Sequence, residues 1–248
     1  MQNLILGVDV GGSGIKGAIV DINTGELQNE RIRIATPKPA TPEAMAEIFK
    51  ELVEAHQYEG PIGCGFPAII KGGKALSAAN ISDQWIGRSV ADIFGEAAGG
   101  PVCVLNDADA AGVAEMEFGL GKGEPGLVLL ITIGSGLGSA LFLDGKLVPN
   151  TEFGHMRFQG MVAEHYASNN ARKKHDLSWE EWGHRFNEYL HYVSRIVNPD
   201  LILLGGGVSK KFQKYEAFID APTRVKPAAL LNAAGTIGAA IYAHQRQL

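Results

Sequence analysis

Cysteine is nearly absent, with Cys64 and Cys103 the only two in 248 residues. Two thiols cannot build a disulfide framework or a cysteine-rich zinc site, so no zinc is expected. Both lie in apolar runs and read as buried thiols of a protein kept reduced in the cytoplasm. Long apolar runs are missing too. Nowhere do 18 apolar residues follow one another, which excludes a spanning helix and leaves no membrane partner. Met1-Gln2-Asn3 has no basic residue before the strand pattern that starts at Leu4, so no secretory leader is expected. An excess of positive charge is also lacking. With 22 Lys+Arg against 27 Asp+Glu and a net charge of −5, the chain is a poor nucleic-acid partner. At 46% hydrophobic and 20% charged, with no linker or low-complexity tract, it is not disordered.

Glycine is what the chain has in excess: 32 residues, roughly twice the usual ~7% share. Much of it lies in tight clusters. Residues 4–27 read LILGVDV-GGSGIKG-AIVDINTGEL, a buried strand, a glycine turn, a second strand and another turn. Residues 126–147 read GLVLLITI-GSGLG-SALFLDGKL in the same order. In each, an Asp and a Gly (Asp21 and Gly25; Asp144 and Gly145) mark the start of a further strand. Two copies of one α/β unit flanking a cleft follow from this repeat. The first domain is expected over 1–107, completed by a closing helix over 236–248, and the second over 108–235. Helical spacing predicts a helix over 42–56, with Thr41 as its cap and Pro42 at its first position. Further helices are expected over 109–119, 179–197 and 233–247, and strands over 61–66, 102–105 and 201–204.

The first turn holds Asp9, Gly11, Gly12, Ser13, Gly14 and Lys16. Its glycines permit a sharp turn with several N–H groups in one concavity, and Lys16 adds a charge that reaches a phosphate. Asp9 suits a hydrated Mg²⁺. A plain hairpin turn with a solvated lysine is the alternative. A second turn, Thr132, Gly134, Ser135 and Gly136, and a third, Gly205, Gly206 and Gly207, repeat the form. None carries the P-loop pattern, and the first leads into a strand, which argues against a dinucleotide fingerprint. Three strand-terminal glycine turns in two similar halves point to phosphate binding. Lys210, Lys211 and Lys214 follow the third turn, as a solvated face or as a track for a long anion. Arg172-Lys173-Lys174 reads as a solvated face.

Asn106, Asp107 and Asp109 end a buried strand. Asp107 is a candidate general base and Asn106 a hydrogen-bond partner for a polar ligand, with helix capping by Asp107 or Asp109 as the alternative. Glu152 and His155 can pair with hydroxyls, as can Asn80 and Glu164; His155 alone would as readily be structural.

The motifs DVGGSGIKGAIVD, LNDADAAGVAE, TIGSGLGSALF, TEFGHM and PDLILLGGGVS, in this order, resemble the ROK family of sugar kinases, and within it the polyphosphate-dependent glucokinases. The resemblance spans residues 4–240. It implies two ribonuclease H-like α/β domains with an interdomain cleft, as in the hexokinase–actin superfamily, and a homodimer. It makes Asp107 the base on the glucose 6-hydroxyl. Asn80, Asn106, Glu152, His155 and Glu164 would contact the sugar, and the Asp9 and Thr132 turns would hold the phosphates of polyphosphate with Mg²⁺. Many relatives carry a cysteine-rich zinc segment after the Gly-His pair, whereas residues 156–168 contain no cysteine. The alternatives are an ATP-dependent or dual-donor ROK hexokinase, a sugar-responsive ROK repressor and an actin-like filament protein. A repressor would need a DNA-binding segment before the first strand, and a filament protein would not need the sugar contacts.

Overall fold

A computed structural model describes residues 3–79 and 81–246. The chain divides into two compact units, Met1–Ala114 with Ala233–Leu248, and Glu115–Asn232.

The first unit opens with strands β1 (Leu4–Gly11) and β2 (Gly14–Asp21), paired antiparallel from Leu4↔Asp21 to Gly11↔Gly14. β3 (Ile32–Ile34) adds to β2. Helix α1 (Pro42–His56) starts where Thr41 accepts the Ala44 N–H at 3.3 Å, with proline in its first turn, and stops on Gln57 at φ 47°. β4 (Ile62–Phe66) runs parallel to β1. The small strands β5 (Ile70–Lys71) and β6 (Lys74–Ala75) precede helix α2 (Val90–Ala98). β7 (Val102–Asn106) runs parallel to β4 and leads into α3 (Asp107–Phe118). The sheet order is β3-β2-β1-β4-β7. Phe49, Phe66, Trp85 and Phe94 form its aromatic core, with the Phe49 and Phe94 rings stacked at 4.2 Å. Each such burial stabilises by roughly 1.5–3 kcal/mol.

The second unit repeats the plan. β8 (Leu127–Ile133) and β9 (Leu137–Leu143) form the hairpin, and β10 (Lys146–Val148) adds to β9. The short strands β11 (Arg157–Phe158) and β12 (Met161–Val162) precede helices α4 (Ala163–Ala167), α5 (Asn169–Lys174) and α6 (Trp179–Val197). A reciprocal Ser178–Glu181 capping box starts α6. β13 (Leu201–Gly205) lies parallel to β8, and β14 (Arg224–Pro227) parallel to β13. The sheet order is β10-β9-β8-β13-β14, the same as in the first unit. Trp182, Phe186, Tyr189 and Tyr215 are buried in its core.

Helix α7 (Ala234–Arg246) returns to the first unit. It approaches β1 and β4 so closely that a methyl group on Gly7 would overlap the Thr236 carbonyl, and one on Gly63 the Ala239 carbonyl.

Two expectations need correction. Cys64 is buried, but Cys103 is only half-buried, because β7 is the last strand on its side of the sheet. The turn at Asp144 (φ 47°) and Gly145 (φ 77°) does start β10 at once. The turn at Asp21 and Gly25 instead gives an isolated Val20–Leu27 bridge, and β3 begins only at Ile32.

Candidate active site

The first glycine turn is a two-residue connection, Gly12-Ser13, between β1 and β2. None of Gly11, Gly12 and Gly14 adopts a left-handed backbone, so handedness does not require glycine there. At Gly14 a methyl group would sit 2.6 Å from the Arg33 Nε, which would make that flexible side chain shift. Arg33, on β3, donates to the Ser13 carbonyl at 2.6 Å and brings a cation to this turn that sequence reasoning missed. Asp9 and Lys16 face each other across the hairpin, and the Lys16 Nζ donates to the Asp9 Oδ2 at 2.9 Å.

At the end of β7, Asn106 is buried and committed to the backbone. Its Oδ1 accepts the Ala108 N–H at 2.9 Å and the Asp109 N–H at 3.1 Å, and its Nδ2 donates to the Ala68 carbonyl at 3.1 Å. The residue that caps α3 is therefore Asn106, ahead of the two aspartates considered for it. Asp107 is the first helical residue, half-buried, with its Oδ1 on the Ala108 N–H at 2.9 Å. Asn106 thus fixes the helix start that aims Asp107. Asn80 lies outside the described residues.

In the second unit the second and third glycine turns pack together. The loop 134–136 closes through a Gly134 N–H to Gly136 carbonyl bond of 3.0 Å. Gly206 takes φ 76°, and a methyl group on it would lie 2.6 Å from the Ile133 carbonyl. Only glycine allows both that conformation and that approach. The Ser209 hydroxyl donates to the Gly206 carbonyl at 2.7 Å, starting a 3₁₀ segment (Ser209–Lys214) that carries Lys210 and Lys211 into solvent. A methyl group on Gly134 or Gly207 would meet nothing within 4 Å, so both backbones face open space.

Beside the second turn stands a cluster of two carboxylates and an imidazole. His155 closes a 3₁₀ turn (Phe153–His155) that returns its Nδ1 to within 3.3 Å of the Glu152 Oε2. Its Nε2 lies 3.9 Å from the Glu164 Oε1. Glu164, in the first turn of α4, also accepts the Leu137 N–H at 3.3 Å, and a methyl group on Gly136 would overlap its carboxylate. Residues expected to meet a sugar therefore adjoin a turn expected to meet a phosphate. Burial pushes the Glu152 carboxyl above its usual range and Glu164 adds to this, while His155 opposes it. The cluster offers several acceptors beside a ring nitrogen, a set suited to adjacent hydroxyls.

Glu152 is held by a residue that sequence reasoning passed over. Ser139, buried in β9, donates to the Thr151 carbonyl at 2.7 Å and accepts the Phe153 N–H at 3.0 Å. The Thr151 hydroxyl returns a bond to the Ser139 carbonyl at 3.2 Å. Both backbone neighbours of Glu152 are so tied to one side chain. A lone serine inside an apolar strand was the available signal, since a buried hydroxyl needs partners. Tyr166, two residues beyond Glu164, donates to Glu188 on α6 at 2.9 Å.

The ROK family model matches residues 5–171. A polyphosphate glucokinase of Mycobacterium tuberculosis is 45% identical over 95% of this chain and 89% of its own; the polyphosphate glucokinase of Mycobacterium leprae is 42% identical over 95% of this chain and 73% of its own. The crystal structure of the inorganic polyphosphate/ATP-glucomannokinase from Arthrobacter sp. strain KM is 42% identical and superposes with a TM-score of 0.96 over 99% of this chain and 100% of that one. With this fold, that of the sugar kinases in the hexokinase–actin superfamily, and with this sequence match, the chain belongs to the ROK family.

Proposed function

We propose that this protein transfers a phosphoryl group from inorganic polyphosphate to the 6-hydroxyl of glucose. The observation that carries this reading is the 45% identity to a polyphosphate glucokinase over 95% of the chain. Asp107 accepts the hydroxyl proton as the sugar oxygen attacks the terminal phosphorus, a contribution of roughly 10²–10⁴-fold. Glu152, His155 and Glu164 hold the sugar hydroxyls, with Asn80 and Asn106 in support. Asn106 acts mainly by fixing the start of α3. Amides of Gly11, Gly12, Ser13 and Gly14, those of Thr132, Gly134, Ser135 and Gly136, and those of Gly206 and Gly207 receive phosphate oxygens. Lys16, Lys210 and Lys211 add charge, so positioning and electrostatics supply the larger share of the rate.

Asp9 offers a half-buried carboxylate already paired with Lys16. That set fits Mg²⁺ held mostly by water and donor phosphates, where it would neutralise phosphate charge. The homodimer and the cytoplasmic setting belong to the same proposal.

A second reading, acceptance of ATP and of mannose, is favoured by the 42% identity and 0.96 TM-score to a polyphosphate/ATP-glucomannokinase. The test is kcat/KM for polyphosphate and for ATP at equal Mg²⁺ with glucose saturating. A clear preference for polyphosphate is expected, and a clear preference for ATP would overturn it.

A further inference from the structure

The two basic runs of the second unit are far apart in sequence and meet on one aromatic ring. Arg172 closes α5 with Lys173 and Lys174, and Lys210, Lys211 and Lys214 lie on the 3₁₀ segment that leaves the third glycine turn. The Arg172 guanidinium lies 4.3 Å from the centre of the Trp179 ring, and the Lys211 ammonium lies 5.6 Å from it. Arg172 is held in place by its bonds to the Leu177 carbonyl at 3.0 Å and to Asn169 at 3.3 Å. Trp179 is in turn braced edge-on by Trp182 at 5.8 Å and lies parallel to Tyr215 at 6.0 Å.

The charge balance of this surface is unlike that of the chain. Among the described residues, none of these six cations is in an ion pair, although the chain carries a net charge of −5. The acids nearest in sequence are Asp176, Glu180, Glu181 and Glu216, and Glu181 is bound in the capping box of α6. Like charges on neighbouring segments that form no ion pairs repel one another, and an extended polyanion relieves that repulsion.

We propose that the two basic segments joined at Trp179 by Arg172 and Lys211, with Lys173 and Lys174 on α5 and Lys210 and Lys214 on the 3₁₀ segment, form a binding surface for the distal part of a polyphosphate chain. The inference rests on the donor reading above and extends it from the reacting phosphates to the remainder of the donor. The 3₁₀ segment follows the third glycine turn directly through Ser209, so along the chain Lys210 and Lys211 lie next after Gly206 and Gly207. A nucleoside has no charge to place there, and tripolyphosphate has far fewer charges than a long chain to spare beyond the reacting phosphates.

The test uses K173A/K174A, two exposed residues outside the site described above. At low salt its KM for long-chain inorganic polyphosphate should rise about three- to tenfold, as expected for a few screened phosphate contacts. Its KM for tripolyphosphate, ATP and glucose should stay as in the wild type. An unchanged KM for the long chain, or an equal rise for every donor, would overturn the surface. Equilibrium binding of long-chain polyphosphate without glucose, followed by tryptophan emission, separates this from the donor reading. Trp85 and Trp182 are fully buried and Trp179 is not, so a response is expected from Trp179. If the wild type turns over only ATP, the donor reading fails; salt-sensitive binding that K173A/K174A loses would still establish the surface, and equal binding by both proteins would overturn it.

Discussion

Asp107 takes its position from a neighbour that does no chemistry. Asn106 spends both ends of its amide on the backbone, and the carboxylate next to it is delivered at the first residue of α3. Asp107→Asn keeps the shape and removes the proposed base. We expect kcat to fall about 100-fold or more while glucose affinity, measured by calorimetry, is retained; a near wild-type kcat would assign the base elsewhere. Glu152 gives a pH-dependent expectation. Burial raises its carboxyl above the ordinary 4.5, so the native state binds that proton more tightly than the unfolded chain. The stabilising contribution is therefore full below the ordinary value and is lost as pH rises through the raised one. Glu152→Gln, uncharged throughout, should melt higher than wild type at pH 7 and lose that advantage near pH 4, while glucose KM rises. Glu152 and His155 were legible in the sequence because they lie three residues apart beside a glycine. Arg33 was not, since nothing local shows that β3 folds back beside the Ser13 carbonyl.

β9 presents Ser139 to both sides of Glu152, so the strand acts as a template for a segment with little regular structure of its own. Ser139→Ala leaves the Thr151 carbonyl and the Phe153 N–H without their partner, a cost of roughly 1–3 kcal/mol. Glucose KM should rise with a smaller change in kcat, because Glu152 loses its placement while Asp107 is untouched. Ser194→Ala is the control. Among the described residues that hydroxyl, buried in α6, has no hydrogen-bond partner, so its removal should change neither stability nor KM by much. If both variants shifted KM alike, Ser139 would be a packing residue only. At this scale the sequence was most readable where ends were signalled. Thr41-Pro42 before α1 gave a helix whose observed bounds match those expected, and the amphipathic stretch over 179–197 did the same for α6. Helix α2 and the short α4 and α5 went unread, because stretches of five to nine residues carry too few turns for their periodicity to stand out.

Across the whole molecule the repeat was visible as two strand–turn–strand passages, and the two sheets carry the same strand order. What the repeat could not reveal is the meeting of Lys211 and Arg172 over Trp179, because that contact depends on where α5, α6 and the segment after β13 pack. The sequence showed a small-residue helix over 233–247, though not the surface it covers. That helix, α7, lies against β1 and β4 at glycines with no room for a methyl group. Its residues come after every residue of the second unit, and this orders events on the ribosome. The second unit has its full complement of chain first, while the older first unit waits with the bare backbone at Gly7 and Gly63 uncovered. Synthesis thus matures this protein from the middle outward, and a translation arrest before residue 234 leaves a finished second half tethered to an unfinished first.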